Sequence, residues 1–258
     1  MKIELLNILR KEIAPALGCT GPISVAFAVA AAKDAVGGTP QEIKMVCDKD
    51  TYKNSIAVVT PGTPFMGVLE PAVVGGFYGD SSLGLEVLKN MKNPDEAFIR
   101  KFAKEHTKVE IKWEYKGMGV YIEAYVKTEN GTGHAVVANA HDRVVLLEVN
   151  NQVTYKDESF DISDLGFEVK GPIRDYCIRD FYDFAREVNI SDIDFIEKAI
   201  ELNTRLAQAG LDEKMGGRFG LGFQALPGDA MYLKAKSLAA AASDARMSGK
   251  NLSAMSCA

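Results

Sequence analysis

The chain has 258 residues, of which 47% are hydrophobic and 25% are charged, and its formal net charge is -5 with a pI near 5.4. These values are typical of a globular protein with one large core or two modest ones. Lys and Arg are spread without a run, so no basic field for nucleic acid is present, and we expect a small-molecule or protein partner.

The cysteines and the first residues bound the class of protein further. Cys19, Cys47, Cys177 and Cys257 are widely spaced without a C-x-x-C pair, which indicates neither a disulfide framework, nor a zinc site, nor an iron–sulfur site. Charged residues interrupt the first apolar run, so no secretory signal opens the chain, and the apolar run 23–36 is too short to span a bilayer. We therefore predict a cytoplasmic protein that does not bind a membrane.

The N-terminal region predicts two helical runs with Cys19 at the break between them. Helical spacing of apolar residues ends at Pro15, and a second helix is expected over 23–36, with Thr20 or Gly21 as its N-cap. A helix N-terminus favours an anion, so a Cys19 thiolate is a candidate base or nucleophile. Position alone leaves open the alternative of a small apolar residue in a buried loop.

The following segment predicts two short strands and a turn. Strands are expected over 42–47 and 56–60, with a polar loop over 48–54 between them. The turn 61–64 has exposed backbone N–H groups, which together with Lys53 could hold a carboxylate, or it is an ordinary connection. Helices are then expected over 68–78, 83–91 and 95–106.

Residues 107–150 carry the clearest strand signal in the sequence. Strict alternation from Val109, followed by three short turns, predicts an antiparallel four-stranded meander whose buried face includes Val109, Ile111 and Trp113. His141 follows the third predicted strand and is a reserve candidate for a catalytic base.

The last hundred residues read as helices with irregular connections. Residues 150–172 are expected to be an exposed acidic connection, and an amphipathic helix over 172–188 would place Cys177 in the core. A helix from Ser191 should end at Gly210, and the glycine-rich 216–222 segment predicts a flexible connection rather than a phosphate loop. A helix over 230–242 should continue into Arg246. The chain is thus predicted to be a single α+β unit, 1–258, in which helices, some of them small-residue and apolar, flank the meander.

Five short motifs, in order along the chain, resemble the L-cysteine desulfidase family, which is related to the alpha part of iron–sulfur L-serine dehydratases. The matching stretches are PALGCTGP around Cys19, KN with VTPGT at 53–63, GLEVLK at 84–89, AASDARM at 241–247 and LSAMS at 252–256. The likeness is loose between residues 106 and 230. The resemblance implies that this chain is the N-terminal portion of a longer lyase, truncated at its C-terminus.

What the resemblance implies is a lyase that converts L-cysteine to pyruvate, ammonia and sulfide in cysteine catabolism. Cys19 would be the catalytic base, while Lys53, Asn54 and Thr63 would bind the substrate carboxylate. The complete family enzyme has a [4Fe–4S] cluster whose cysteines lie in its later part, so we expect no cluster in this chain alone and a possible separately encoded C-terminal half.

Two departures from the family, the early C-terminal end after Ser256 and the residue at position 21, leave alternatives open. Gly21 stands where the family signature has glutamate, which puts any role of that carboxylate in doubt here. L-Serine dehydration is the close alternative, with hydroxide leaving instead of sulfide. A non-catalytic remnant, or a subunit that lacks the cluster-binding half, is the alternative of a different class.

Overall fold

A mixed sheet and a layer of helices built around one buried helix make up most of the chain in the computed structural model. The structure describes residues 2–114, 119–160, 172–213, 215–228 and 231–257. The helices are α1 (Lys2–Glu12), α2 (Thr20–Val36), α3 (Lys49–Ser55), α4 (Leu69–Tyr78), α5 (Glu96–His106), α6 (Ile178–Glu187), α7 (Phe195–Asp212), α8 (Phe219–Gln224) and α9 (Met231–Met247). The strands are β1 (Ile13–Leu17), β2 (Glu42–Asp48), β3 (Thr107–Lys112), β4 (Tyr121–Thr128), β5 (Gly131–Ala138), β6 (Val144–Val149), β7 (Gln152–Lys156) and β8 (Ser253–Cys257).

Six of these strands form one sheet in the order β3-β2-β4-β5-β6-β7. Strands β2 and β3 pair in parallel, and every other neighbouring pair is antiparallel. The α+β class predicted from the sequence is confirmed. Within the described ranges, no helix is long and apolar enough to cross a membrane.

The strand order differs from a simple meander at one point. Strands β4, β5 and β6 follow one another as predicted, but β2 lies between β3 and β4. Strand β7 adds a further antiparallel neighbour in a segment that was predicted to be irregular. Alternation predicts that a segment is a strand, whereas the choice of its neighbour depends on surfaces far away in sequence.

The buried face predicted for the first strand of the meander is only partly correct. Val109 and Ile111 are half-buried, but Trp113 is 68% exposed. The reason is that β3 is an edge strand that ends at Lys112, so Trp113 lies beyond the sheet. Tyr115 and the start of the predicted turn at 117–119 lie outside the described residues.

Helix α2 is the centre of the core because its small residues let two layers approach closely. It packs between α4 and the β4–β5 face of the sheet. A Cβ on Gly75 of α4 would stand 2.2 Å from the carbonyl oxygen of Ala26, and one on Gly133 of β5 would stand 2.0 Å from that of Ala32. Glycine is therefore required at both contacts.

Three local predictions in the first hundred residues are wrong. The polar segment predicted as a loop is helix α3, because the Asp48 side chain accepts hydrogen bonds from the first N–H groups of that helix. The predicted strand 56–60 forms only an isolated bridge between Val59 and Met66. The predicted helix over 83–91 is a 3-10 helix at Ser81–Glu86, interrupted where Gly84 takes a φ of 54°.

The C-terminal helices depart from prediction where backbones meet. Helix α7 continues past Gly210, since a Cβ there would lie 2.0 Å from the Ala241 carbonyl oxygen of α9, so this glycine permits close packing instead of ending the helix. The glycine-rich segment is partly the short helix α8, held by a hydrogen bond from the Gly220 N–H to the Asp244 side chain at 3.0 Å. Cys177 is exposed rather than in the core, because it is the N-cap of α6, a helix with no buried residue.

Strands β1 and β8 form a separate two-stranded sheet that brings the two ends of the described chain together. Pro15 pairs opposite Met255, where the lack of an N–H is tolerated because each strand has only one neighbour. This sheet positions the segment that leads from Leu17 to Cys19 beside the end of α9.

Candidate active site around Cys19

Cys19 is itself the N-cap of α2, and neither Thr20 nor Gly21 takes that position. Its backbone is extended, with φ -92° and ψ 135°, and its side chain makes no capping hydrogen bond. Gly18 before it has a φ of 50°, and a Cβ there would lie 2.5 Å from the Pro61 side chain, so only glycine fits this turn. The sulfur is half-buried at the positive end of a 17-residue helix that has no acidic residue in its first turn.

Two cavities meet at Cys19. The first, which we call the Asn54 cavity, measures about 460 Å³, and its lining includes Cys19, Gly21, Asp48, Asn54, Val120 and His141. The second, the Arg246 cavity, measures about 640 Å³, and its lining includes Cys19, Asn203, Leu238, Ser243, Arg246 and Met255. Because Cys19 and Met247 line both cavities, a small molecule in either one can approach the sulfur.

Asp48 holds the Asn54 cavity together. It is 2% exposed, and its Oδ1 accepts the N–H groups of Asp50 and Thr51, both at 2.8 Å. Its Oδ2 accepts the Thr51 hydroxyl at 2.5 Å and the Tyr121 N–H at 2.9 Å. One carboxylate thus joins the end of β2, the start of α3 and the start of β4, which fixes the helix that carries Asn54. From the sequence, Asp48 was expected to be a polar loop residue only.

His141 enters the same cavity from the loop between β5 and β6. It is half-buried, and burial lowers its pKa, although the nearby carboxylates of Asp142 and Asp48 act in the opposite direction. A lowered pKa keeps the imidazole neutral near pH 7, which is the form that accepts a proton. The structure therefore brings the reserve candidate from the sequence together with Cys19.

Of the three residues predicted to bind the substrate carboxylate, one lines a cavity beside Cys19 and two do not. Asn54 lines the cavity, while its neighbour Lys53 on α3 is exposed and lines neither cavity. Thr63 is occupied within its own turn, where its hydroxyl donates to the Thr60 carbonyl at 2.8 Å and accepts the Phe65 N–H at 3.1 Å. The binding roles of Lys53 and Thr63 stay predictions.

Gly21 faces this site directly. A Cβ at this position would lie 3.2 Å from Ser55 Oγ and 3.7 Å from the Asn54 Cβ. A glutamate in its place would therefore extend from α2 towards α3 at the edge of the Asn54 cavity. The departure from the family signature changes the site itself and not a remote surface.

Cys47 and Cys177 are not placed to share a metal with Cys19. Cys47 lies in the main core, where burial first and the adjacent Asp48 carboxylate second raise its pKa to about 12. Cys177 lies on the surface at α6. Among the residues that the structure describes, no group of three or more His, Cys, Asp or Glu side chains could hold a metal ion, so this part of the chain does not fit a [4Fe–4S] cluster.

Several curated proteins are similar to nearly the whole chain. A UPF0597 protein of Clostridium botulinum (strain Okra) is 34% identical over 259 residues, covering 97% of this chain and 59% of the relative. UPF0597 proteins of Caldanaerobacter subterraneus and Chromobacterium violaceum are 35% and 34% identical, each over 98% of this chain and 59% of the relative. The chain thus spans less than two thirds of the length of these relatives. No model of a known protein family matches it. No solved structure matches it.

Proposed function

We propose that this chain is the Cys19-bearing part of a UPF0597-type carbon–sulfur lyase, which converts L-cysteine to pyruvate, ammonia and sulfide. The observation that carries the proposal is the position of Cys19, which caps the buried helix α2 without a side-chain hydrogen bond and opens onto two cavities. The PALGCTGP motif around Cys19, which resembles the desulfidase signature, supports the choice of reaction. The names of the UPF0597 relatives state no activity.

The reaction needs a base at the α-carbon of the substrate. Removal of the α-proton leaves an electron pair that forms the Cα–Cβ double bond as the Cβ–S bond breaks, and the sulfur leaves as sulfide. The resulting aminoacrylate tautomerises to an imine, and water hydrolyses it to pyruvate and ammonia. In our proposal the Cys19 thiolate takes the α-proton, and the positive end of α2 favours that anion.

His141 and Asn54 complete the roles within the Asn54 cavity. The neutral His141 imidazole can accept the proton that Cys19 removes, which would restore the thiolate for another turnover. The Asn54 amide oxygen can accept a hydrogen bond from the substrate's ammonium group. Asp48 holds the start of α3, the helix that carries Asn54, against β4. Asp48 and His141 line the same cavity.

The proposal also requires the part of the relatives' sequence that this chain does not match. The match covers 59% of their length. The [4Fe–4S] cluster of the resembled family would take its ligands from that remaining part, present in the same polypeptide or encoded separately. We therefore derive no step through the cluster from the residues described here.

The test is sulfide release from L-cysteine after anaerobic reconstitution with iron and sulfide. The chain would be co-expressed with the unmatched part of the Caldanaerobacter relative, and the intact relative would serve as the positive control. We expect release by the complex and a loss of at least about 100-fold in Cys19→Ser, as is common when a general base is removed. Cys177→Ser, which removes an exposed thiol from α6, is the matched control and should keep full activity.

Three outcomes separate the alternatives. Sulfide release that survives Cys19→Ser would reject Cys19 as the base. Ammonia release that is faster from L-serine than from L-cysteine would convert the assignment to a serine dehydratase. No turnover of either amino acid by a stable, cluster-loaded complex would favour the non-catalytic reading.

A further inference from the structure

The segment AASDARM at 241–247 resembles the desulfidase family, yet no role was predicted for any of its residues. It lies on α9 where that helix approaches Cys19. Asp244 is buried and accepts the Gly220 N–H at 3.0 Å, so its role is to hold α8. Arg246 points to a different role, because it lines the same cavity as Cys19.

The Arg246 guanidinium is fixed at one nitrogen and unpaired with any acid. Its Nε donates to the Gly18 carbonyl oxygen at 2.9 Å, which ties α9 to the turn before Cys19. Two other arginines of the described chain contact carboxylates: Arg143 contacts Asp157 at 2.7 Å and Arg179 contacts Asp183 at 2.9 Å. Arg246 has no such partner among the described residues, so its two terminal nitrogens keep N–H donors that suit a carboxylate.

The walls of the cavity agree with an anionic ligand. Arg246 is the one charged residue in the described lining, which otherwise consists of apolar side chains with Asn203, Thr204 and Ser243. The Asn203 amide is already used, since it bonds the backbone of Met255 through both its oxygen and its nitrogen. A single cation in a mostly apolar cavity of about 640 Å³ fits a small organic carboxylate better than a large polyanion.

We propose that Arg246 binds the carboxylate of the substrate, a small α-amino acid, and so holds that molecule beside Cys19. This inference rests on the proposed function, because it names the carboxylate-binding residue for that reaction. It assigns to Arg246 the role that the family resemblance gave to Lys53, Asn54 and Thr63. Because Arg246 and Cys19 line the same cavity, a carboxylate bound by the terminal nitrogens keeps the substrate in the cavity onto which Cys19 opens.

The test uses two alkylating reagents that differ in charge. Iodoacetate is a small carboxylate, whereas iodoacetamide is its neutral counterpart, and both react when a thiolate sulfur attacks the methylene carbon, forming an S–C bond and releasing iodide. We expect the iodoacetate-to-iodoacetamide rate ratio at Cys19 in the native chain to exceed the ratio at the same cysteine in urea by roughly tenfold. The rates would be read by mass spectrometry of each cysteine peptide, and the Cys19 rate with iodoacetate should saturate with reagent concentration.

Variants separate carboxylate binding from a structural effect. Arg246→Gln should reduce the ratio to its value in urea, and Arg246→Lys should keep part of it because the charge remains. Arg205→Gln is the matched control, since it removes an exposed arginine that lines neither cavity, and it should leave the ratio unchanged. The iodoacetamide rate reports on the Gly18–Cys19 turn in every variant, so a turn disturbed by loss of the Gly18 contact would change both rates and not their ratio.

A native ratio equal to that in urea would overturn the proposal, as would a ratio that survives Arg246→Gln or falls in Arg205→Gln. Alkylation requires no turnover, so this test is independent of the reaction. A raised ratio that depends on Arg246, without sulfide release in the reconstituted complex, would reject the proposed function and keep the carboxylate site.

Discussion

Three cysteines occupy three different environments, and these decide which thiol can react. Cys19 is half-buried at the start of α2, Cys177 is exposed at the start of α6, and Cys47 is enclosed in the main core. Burial and the adjacent Asp48 raise the pKa of Cys47 to about 12, so its thiol stays protonated at neutral pH. The three thiols therefore differ in how easily a reagent in solution reaches them.

We predict that iodoacetamide at pH 7 modifies Cys19 and Cys177 in the folded chain and leaves Cys47 unmodified. Cys19 should react before Cys177: both lie at a helix N-terminus, but the first turn of α6 contains the acidic Asp180 and that of α2 contains no acidic residue. Mass spectrometry of the cysteine peptides measures this order, and unfolding in urea should make Cys47 reactive. Labelling of Cys47 as fast as Cys177 in the folded chain would contradict it.

His141 should make the fold sensitive to acid. Its pKa in the folded chain is lowered from 6.5 by burial, so the unfolded chain binds a proton at a pH where the folded chain does not. Stability is therefore lost as pH falls through 6.5 towards the lower folded value. We expect His141→Gln to show a shallower fall in the free energy of unfolding between pH 7 and pH 5, measured by urea titration. His106→Gln, on the exposed side of α5, should keep the slope of the parent chain.

At the scale of elements, side chains that join several elements matter more than those that cap one. Asp48 joins β2, α3 and β4, whereas Asp95 caps only α5 by accepting the Phe98 N–H at 3.0 Å. The sequence identifies Asp95 as a helix start, but it does not show that the Asp48 carboxylate reaches Tyr121, which lies 73 residues away.

We predict that Asp48→Ala lowers the free energy of unfolding by about 3 kcal/mol, because several buried donors lose a charged acceptor. Asp95→Ala, the matched control, should cost about 1 kcal/mol, as is usual for an exposed N-cap. Urea denaturation of both variants gives the comparison. Equal losses would mean that the contact to Tyr121 adds nothing to the cap.

At the scale of the whole molecule, the small β1–β8 sheet fixes the site by joining distant parts of the chain. Ala254 of β8 is 1% exposed, and the Asn203 side chain of α7 holds the Met255 backbone from the other side. The Arg246 contact to Gly18 spans 228 positions. Cys19 therefore depends on residues at the far end of the described chain.

We expect a chain that ends at Leu252 to lose about 2 kcal/mol or more of stability, because β1 then lacks its only strand partner. Hydrogen exchange at residues 13–17 should become faster, while exchange at β4 and β5 should not change. Asn203→Ala is the milder control, since it removes two hydrogen bonds to β8 and keeps the strand. Unchanged protection of β1 in the shortened chain would contradict the role of β8.

Elements whose causes are local are predictable from the sequence. Composition predicts α2 and α9, amphipathic periodicity predicts α5, alternation predicts β2 and β3, and turn signals separate β4, β5 and β6. Together these predict the α+β class, with Cys19 at a helix start. Hydrogen bonds and side-chain contacts within one helical turn or along one strand produce such signals, so a short window contains the information.

Which elements are neighbours is seen only in the tertiary structure. There β2 lies between β3 and β4, and α7 continues past Gly210. Trp113 and Cys177 are exposed, and Cys19 lines one cavity with His141 and another with Arg246. The physical reason is that these outcomes depend on which apolar surfaces bury one another and how closely two backbones can approach, and the groups involved lie up to 228 residues apart.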